Sequence, residues 1–209
     1  MEHPLKQLLA TYRLVLASNS PRRREILGKL DLPFEVRVAE EVDESYPHST
    51  SQEMADISLY LARKKNKALS PKTPTQELII TADTTVIHQG KHLEKPKNSE
   101  EACQMLDTLQ GGTHDVYTGL VVSCNDQLQP KIYERNIMSK VFMNPMSRQE
   151  IAYYVHHYQP MDKAGAYGVQ EWFGAAAIGR IEGCHYNVMG LPISDLMLIF
   201  REIQKDLAK

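Results

Sequence analysis

The chain has 209 residues, of which 42% are hydrophobic and 24% are charged, values typical of a folded protein with a substantial core. A formal net charge of −2 argues against a general binder of nucleic acids or membrane surfaces. The first twelve residues read neither as a signal peptide nor as a membrane span. Three widely spaced cysteines favour free thiols in a reducing compartment, so we expect a single cytoplasmic domain covering residues 1–209.

The first informative segment, residues 14–25, predicts a strand followed by a helix. Residues 14–16 are apolar, as in a buried strand, and Ser20 before Pro21 is typical of a helix start. Three arginines, residues 22–24, occupy the first helical turn, where the helix dipole disfavours cations. They form either a solvated basic turn or a binding site for a polyphosphate, whose oxygens match guanidinium groups. Because successive helical residues point about 100° apart, we expect only two of the three to reach one ligand.

An acidic segment, residues 40–44, follows a predicted strand at residues 34–38. It is either a solvated run of charge or a source of carboxylate ligands for a magnesium-type ion. A capping box at Thr50 and Glu53 then predicts a helix that extends to about Leu69.

Residues 78–87 are β-branched and apolar, and they predict a central strand that carries Asp83 in its middle. Burying an unpaired carboxylate is costly, so Asp83 requires a cation, strong donors or an open cleft beside it. The alternative is a turn aspartate that caps the next segment. The turn at residues 89–90 predicts a hairpin whose return carries Glu94 and Lys95 towards Asp83.

The second half of the chain predicts further helices and strands around one glycine-rich loop. Residues 162–170 are either an ordinary loop or a binding loop, in which Lys163, Tyr167 and Gln170 lie among glycines that permit close backbone approach. The remaining predictions are a helix at 99–110, strands at 114–124 and 132–143 joined through a turn at 125–126, a helix from a Ser147–Glu150 capping box to about 157, strands at 175–181 and 186–189, and a final helix opened by residues 190–192.

Taken together, these motifs resemble the Maf family of nucleoside triphosphate pyrophosphatases. The resemblance runs in order through almost the whole chain except residues 1–12, which read as an N-terminal extension. The motifs are Ser-x-Ser-Pro-Arg-Arg at 18–23, Asp-Glu at 43–44, Leu-Ala-Arg-x-Lys at 61–65, Ala-Asp-Thr at 82–84, Leu-Glu-Lys-Pro at 93–96, Asp-Lys-Ala-Gly-Ala-Tyr-Gly-x-Gln at 162–170 and Gly-Leu-Pro at 190–192. The segment at 162–170 resembles the branch that acts on dTTP and UTP. Glu171 and Trp172 stand where the family usually has glycine, and Asn19 replaces a frequent small residue.

The resemblance implies an α/β fold of the Maf/ITPase-like kind, with a long mixed sheet flanked by helices, two lobes and a central cleft. It implies a homodimer without a nucleic-acid or membrane partner. The activity would be hydrolysis of dTTP and UTP at the α–β phosphoanhydride, giving nucleoside monophosphate and pyrophosphate with the help of Mg²⁺ or Mn²⁺.

Residue roles also follow from the resemblance. Asp83 would act as general base or as metal ligand, and Glu44 would help to hold the divalent ion. The residues expected to hold the triphosphate and neutralise its charge are Ser18, Arg23, Lys65 and Lys95. The positions associated with substrate specificity are Arg22, Thr84 and Gln170.

Two other functional classes stay open at this point. A nucleotide-binding regulator of cell division or septum formation, without significant turnover, would use the arginines and a base pocket but would not need Asp83 beside lysines. A nucleic-acid binder would use the arginine turn, but the near-neutral net charge and the lack of an aromatic–basic stripe argue against it.

Overall fold

A single mixed sheet organises the chain in the computed structural model, which describes residues 3–39, 42–46, 51–69, 76–125 and 131–207. The strands, in chain order, are β1 (Arg13–Leu16), β2 (Phe34–Val36), β3 (Glu77–His88), β4 (Lys91–Leu93), β5 (Thr113–Asn125), β6 (Lys131–Met143) and β7 (Ile178–Glu182). Among the described residues they lie in the order β2-β1-β3-β5-β6-β7, with β4 paired to β3 outside this path. β1 runs parallel to β2 and β3, and the other pairings are antiparallel.

Helices flank this sheet. They are α1 (Lys6–Thr11), α2 (Pro21–Gly28), α3 (Ser51–Leu69), α4 (Ser99–Leu109), α5 (Arg148–Tyr158), α6 (Trp172–Ala177), α7 (His185–Met189) and α8 (Ile193–Leu207). The predicted α/β fold with a mixed sheet between helices is therefore confirmed, whereas its division into two lobes stays a prediction. No helix of the described part of the chain is long and apolar enough to cross a membrane.

β3 is the strand that creates an opening in the sheet. Along one edge it pairs with β5 from Glu77 to Ile87. Along its other edge it pairs with β1 over residues 77–80 and with β4 from Val86 onward. Residues 81–85, with Asp83 in their centre, therefore leave one edge of β3 open between the end of β1 and the start of β4.

Two large hydrophobic clusters pack against the sheet. The first joins α1, α2, β1 and α8 through side chains such as Leu8, Leu16, Ile26 and Phe200. The second joins α4, α5, α6 and β6 through Leu106, Tyr154, Phe173 and Val141. Burial of these side chains supplies the main favourable contribution to folding.

The predicted N-terminal extension belongs to the first of these clusters. Leu5, Leu8 and Tyr12 are buried in it, and α1 contacts the C-terminal helix α8. The extension therefore contributes to the same core as the sheet.

One element of the second half was predicted only in part and another wrongly. Of residues 175–181, which were predicted as a strand, 178–181 lie in β7, but 175–177 belong to α6, whose Gly174 packs against the backbone of Val169. Residues 186–189 were also predicted as a strand, but they form α7, in which the buried Asn187 amide donates to the Val116 carbonyl and the Ser139 hydroxyl. Tertiary contacts of this kind override the local pattern.

Other local predictions agree with the structure. Ser20 caps α2 with Pro21 at its first turn, and Ser147 forms a reciprocal capping box with Glu150 at the start of α5. The predicted capping box at Thr50 and the turn at residues 125–126 lie wholly or partly outside the described residues.

Candidate active site

A cleft of about 760 Å³ opens beside the unpaired edge of β3. Its walls come from the start of α2, the acidic loop 42–46, α3, the segment after β4 and the loop 162–170. It brings together all of the site residues predicted from the sequence, which are Ser18, Arg22, Arg23, Glu44, Lys65, Asp83, Thr84, Lys95 and Gln170. Cavities of this size accommodate a small organic ligand.

Two carboxylates share one ammonium group in this cleft. The Lys65 Nζ atom lies 2.8 Å from Glu44 Oε1 and forms a short contact with Asp83 Oδ2. The Asp83 side chain is 13% exposed, whereas that of Glu44 is 53% exposed. The carboxylate in the middle of β3 is thus paired with a cation at the cleft floor, as its burial requires.

Helix α3 is fixed on the sheet so that Lys65 reaches Asp83. The Thr81 hydroxyl donates to the Ala62 carbonyl at 3.1 Å, and the Asn66 side-chain amide donates to the Ile79 carbonyl at 3.3 Å. These bonds hold the helix on either side of Lys65.

Arg23 connects four parts of the cleft wall. Its guanidinium donates to the Gly190 carbonyl at 2.7 Å and to the Ser18 and Thr84 hydroxyls at 3.2 Å each. Burial lowers the pKa of Arg23, and the negative charge of Asp83 opposes that effect. A permanently charged guanidinium is therefore held close to the two carboxylates of the cleft, Asp83 and Glu44, without a direct ion pair to them.

Arg22 is held differently. Its Nη1 atom lies 2.7 Å from Asp162 Oδ2, so the start of α2 is linked to the loop 162–170. Arg24 is exposed and does not line the cleft. Arg22 and Arg23 thus both line the cleft, and the expectation that only two of the three arginines reach one ligand stays a prediction.

The charges around Glu44 keep it ionised. Burial alone would raise the pKa of Glu44, but the hydrogen bond and charge of Lys65, with the charges of Lys95 and Arg23, together lower it. Lys95 and Glu94, which follow the β3–β4 hairpin, line the same cleft as Asp83, as the hairpin predicted.

Side-chain contacts that were not predicted from the sequence hold the acidic loop 42–46 in place. Asp43 accepts a hydrogen bond from Lys64 at 2.9 Å, and the Tyr46 hydroxyl contacts His92 Nδ1 at 2.7 Å and Glu94 Oε1 at 3.0 Å. These residues fix the loop on both sides of Glu44. The partners are far apart in the sequence, by 21 residues for Asp43 and Lys64 and by 46 and 48 residues for Tyr46 with His92 and Glu94. A local sequence pattern therefore could not predict these contacts.

The loop 162–170 approaches the cleft through a glycine with positive φ. Gly165 has φ +69°, and its N–H donates to the Glu94 carbonyl at 3.3 Å. A side chain there would also press on Val86 at 3.2 Å. The loop consequently places Lys163 in the wall and Gln170, an exposed side chain, at its rim.

The carboxylates of the cleft fit a divalent ion whose other ligands are substrate phosphate and water. No group of three or more histidine, cysteine or acidic side chains suited to a metal occurs among the described residues. Mg²⁺ commonly uses one or two carboxylates and completes its shell with water and substrate phosphates. Glu44 and Asp83, which meet at Lys65, supply two such carboxylates.

Comparison with known proteins identifies the family of the chain. The sequence profile of the family described as Maf-like protein matches residues 13–203. The chain is 43% identical to the dTTP/UTP pyrophosphatase of Bacteroides fragilis strain YCH46, over 94% of this chain and 97% of that protein. It is 45% identical to the dTTP/UTP pyrophosphatase of Parabacteroides distasonis, over 90% of this chain and 94% of that protein.

Among solved structures, a nucleoside-triphosphatase / dITP/XTP pyrophosphatase from Mycobacterium abscessus matches with 13% identity and a TM-score of 0.31, over 62% of this chain and 72% of that chain. A score this low supports no structural conclusion. The sequence matches, which extend over nine-tenths of the chain, show that it belongs to the Maf family.

Proposed function

We propose that this protein hydrolyses dTTP and UTP at the α–β phosphoanhydride bond, releasing nucleoside monophosphate and pyrophosphate. The names of its relatives support this substrate choice. The observation that carries the proposal is the Lys65 ammonium shared by Asp83 and Glu44 at the floor of a cleft lined with further cations. A site that only binds nucleotides has no need for a buried carboxylate at that place.

Cations and hydroxyls of the cleft are suited to bind the triphosphate. Arg23, with the Ser18 hydroxyl at 3.2 Å, lies at the start of α2, where the helix dipole also favours an anion. Lys65 and Lys95 add positive charge to the same cleft. Charge that develops on the leaving pyrophosphate is stabilised by groups already in place.

Asp83 is the group closest to the reaction chemistry. Its carboxylate either takes the proton of the attacking water or helps to hold the divalent ion, and both roles need an acid at this point of β3. Glu44 and Asp83 are the residues that would hold Mg²⁺ or Mn²⁺. The bound ion would supply positive charge that neutralises the phosphate oxygens.

Base selection is assigned to three residues of the cleft wall. Gln170 presents an amide with donors and an acceptor, which match the N3–H and O4 groups of uracil and thymine. Arg22, held by Asp162, and Thr84, held by Arg23, line the same cleft as this amide. We assign the pyrimidine preference to this set.

The proposal also includes a homodimer that acts in the cytoplasm without nucleic-acid or membrane partners. Cys103, Cys124 and Cys184 form no disulfide bond with one another, which agrees with a reducing compartment. Light scattering of the purified protein tests the oligomeric state, and fractionation of cells tests the location.

The activity is tested by incubating the purified protein with UTP, dTTP, GTP and ATP in Mg²⁺ and identifying the products. We expect equal amounts of monophosphate and pyrophosphate from UTP and dTTP, weak turnover of the purine nucleotides, and loss of activity in EDTA. Release of orthophosphate with a diphosphate would contradict the proposal, and so would full activity in EDTA. Tight binding of UTP without turnover would instead favour the nucleotide-binding regulator.

A further inference from the structure

Glu171 lies directly behind the cleft wall, at the position where the sequence departs from the glycine usual in the family. Its side chain does not line the cleft, but its neighbours Gly168, Val169 and Gln170 do. The Glu171 N–H donates to the Gly168 carbonyl at 3.0 Å, which closes a turn with Val169 and Gln170 at its tip.

The buried hydroxyl of Tyr154, on α5, binds both ends of this turn. The Gly168 N–H donates to Tyr154 Oη at 3.0 Å, and Tyr154 Oη donates to Glu171 Oε2. Burial and the Glu171 carboxylate raise the pKa of Tyr154, so the hydroxyl keeps the proton that it donates. Tyr154 itself is fully buried, so it provides a rigid anchor for the turn.

The other carboxylate oxygen of Glu171 holds a buried cation. Lys163 Nζ lies 3.0 Å from Glu171 Oε1 and 2.7 Å from Asp162 Oδ1. Asp162 in turn accepts from Arg22 at 2.7 Å. A chain of alternating charges therefore runs from Glu171 through Lys163 and Asp162 to Arg22, along the same wall that presents Gln170.

We propose that Glu171 is a positioning residue for base recognition, which with Tyr154 fixes the turn 168–171 and thereby holds the Gln170 amide at the cleft. The close fit supports a fixed side chain, because a Cβ atom on Gly168 would lie 2.7 Å from Glu171 Cδ. This inference rests on the proposed function and adds to it the residue that orients the Gln170 amide for recognition of the pyrimidine base.

The test compares Glu171→Gln with the unmodified protein in steady-state kinetics with UTP and dTTP. The amide still accepts from Tyr154 but loses its ion pair with Lys163, so the turn is held less tightly. We expect KM for both nucleotides to rise about three- to tenfold while kcat stays within about twofold. The inhibition constant of inorganic tripolyphosphate, which has no base, should change by less than about twofold.

Two further variants sharpen the comparison. Tyr154→Phe removes the hydroxyl that binds both ends of the turn, and it should give the same pattern of raised KM with unchanged tripolyphosphate inhibition. Glu182→Gln is the matched control, since it removes an exposed carboxylate paired with Arg180 on β7, and it should behave like the unmodified protein. Thermal unfolding of each variant reports whether it folds.

The outcomes separate this inference from the proposed function. An unmodified protein that does not hydrolyse UTP would contradict the proposed function, and calorimetric binding of UTP and tripolyphosphate to the variants would then still compare base and phosphate recognition. Unchanged affinity for UTP in both folded variants would overturn the role of Glu171. Equal losses of UTP and tripolyphosphate affinity, failure of both variants to fold, or a protein that binds no UTP at all would overturn it as well.

Discussion

Asp83 lies directly opposite Gly119 in the antiparallel pairing of β3 with β5. Gly119 is the point where the backbone of α3 touches the sheet, since a Cβ atom there would lie 2.3 Å from the Leu59 Cα atom. Lys65 follows Leu59 by six residues on the same helix and contacts Asp83. The absence of a side chain at Gly119 thus allows the helix to bring its lysine to the carboxylate.

Gly119→Ala should displace α3 from the sheet. The added methyl group meets backbone atoms, which cannot rotate away, so we expect a loss of about 1–3 kcal/mol in the free energy of unfolding. Activity should fall at least about tenfold, because a small displacement of a catalytic group has a large effect on rate. Denaturant unfolding and UTP turnover measure the two effects.

Gly28→Ala is the matched control for this change. A Cβ atom at Gly28, in the last turn of α2, meets nothing within 4 Å. Alanine favours a helix over glycine by roughly 0.5–1 kcal/mol, so stability should rise slightly and activity should stay unchanged. If both variants behaved alike, close packing at Gly119 would not be what places the helix.

Asp83→Asn should abolish most of the turnover while the protein still folds. The amide is nearly isosteric and is easier to bury than the carboxylate, but it neither accepts a proton from water nor binds a hard cation well. We expect kcat to fall by about a hundredfold or more. Asp107→Asn, on the exposed face of α4, should keep the original rate. Near-normal turnover in the Asp83 variant would assign this residue a structural role.

The sequence pattern predicted the parts of the fold that local chemistry determines. Ser20 and Pro21 predict the start of α2, and the β-branched and apolar residues around Asp83 predict an acid within a strand, because both signals lie within a few residues. In contrast, α7 depends on the Asn187 amide, which binds carbonyl and hydroxyl groups 71 and 48 residues away. No local pattern contains such a contact.

In the candidate site, too, features with a local sequence signal were predicted, whereas features that depend on distant contacts were not. Its residues were predicted through motifs, and the cleft contains all of them. The residues that hold them in place were not predicted, because Asp162 meets Arg22 across 140 residues and Glu171 meets Tyr154 across 17. In the sequence, Glu171 was noticed only as a departure from the glycine usual in the family. That departure did not reveal that Glu171 contacts Tyr154.

The buried His114 should make the protein less stable in acid. Burial, helped by the charge of His88, lowers the pKa of His114 to about 4, and its Nε2 atom lies 2.7 Å from the Tyr167 hydroxyl. In the unfolded chain the imidazole titrates near its ordinary value of about 6.5. As the pH falls from about 6.5 towards 4, His114 becomes protonated in the unfolded chain but stays neutral in the folded protein. The free energy of unfolding therefore decreases over this range.

The expected loss is about 2 kcal/mol between pH 7 and pH 5, since each unit of pKa difference corresponds to about 1.4 kcal/mol. Denaturant unfolding at both pH values measures it. His114→Gln cannot be protonated and should show a smaller dependence on pH, whereas His185→Gln, which removes an exposed imidazole, should retain the full dependence. An equal dependence in the unmodified protein and the His114 variant would contradict this role for His114.

Base choice should depend on the amide of Gln170. The amide offers a donor and an acceptor side by side, which match O4 and N3–H of uracil and thymine. A glutamate at this position accepts from N3–H but, once ionised, repels O4. We therefore expect Gln170→Glu to lower kcat/KM for UTP and dTTP by roughly ten- to a hundredfold.

Purine nucleotides provide the internal comparison for this variant. GTP and ATP, which present different edges and are expected to be poor substrates from the start, should lose less, so the ratio of pyrimidine to purine kcat/KM should shrink. Gln104→Glu adds the same charge on an exposed position of α4 and should leave that ratio unchanged. The alternative is that Gln170 only braces the loop 162–170, in which case all four nucleotides would lose activity by one factor. The Tyr167 hydroxyl binds His114, and the turn around Gln170 is held by Tyr154, so contacts other than Gln170 stabilise the loop. We therefore expect the ratio of pyrimidine to purine kcat/KM to change.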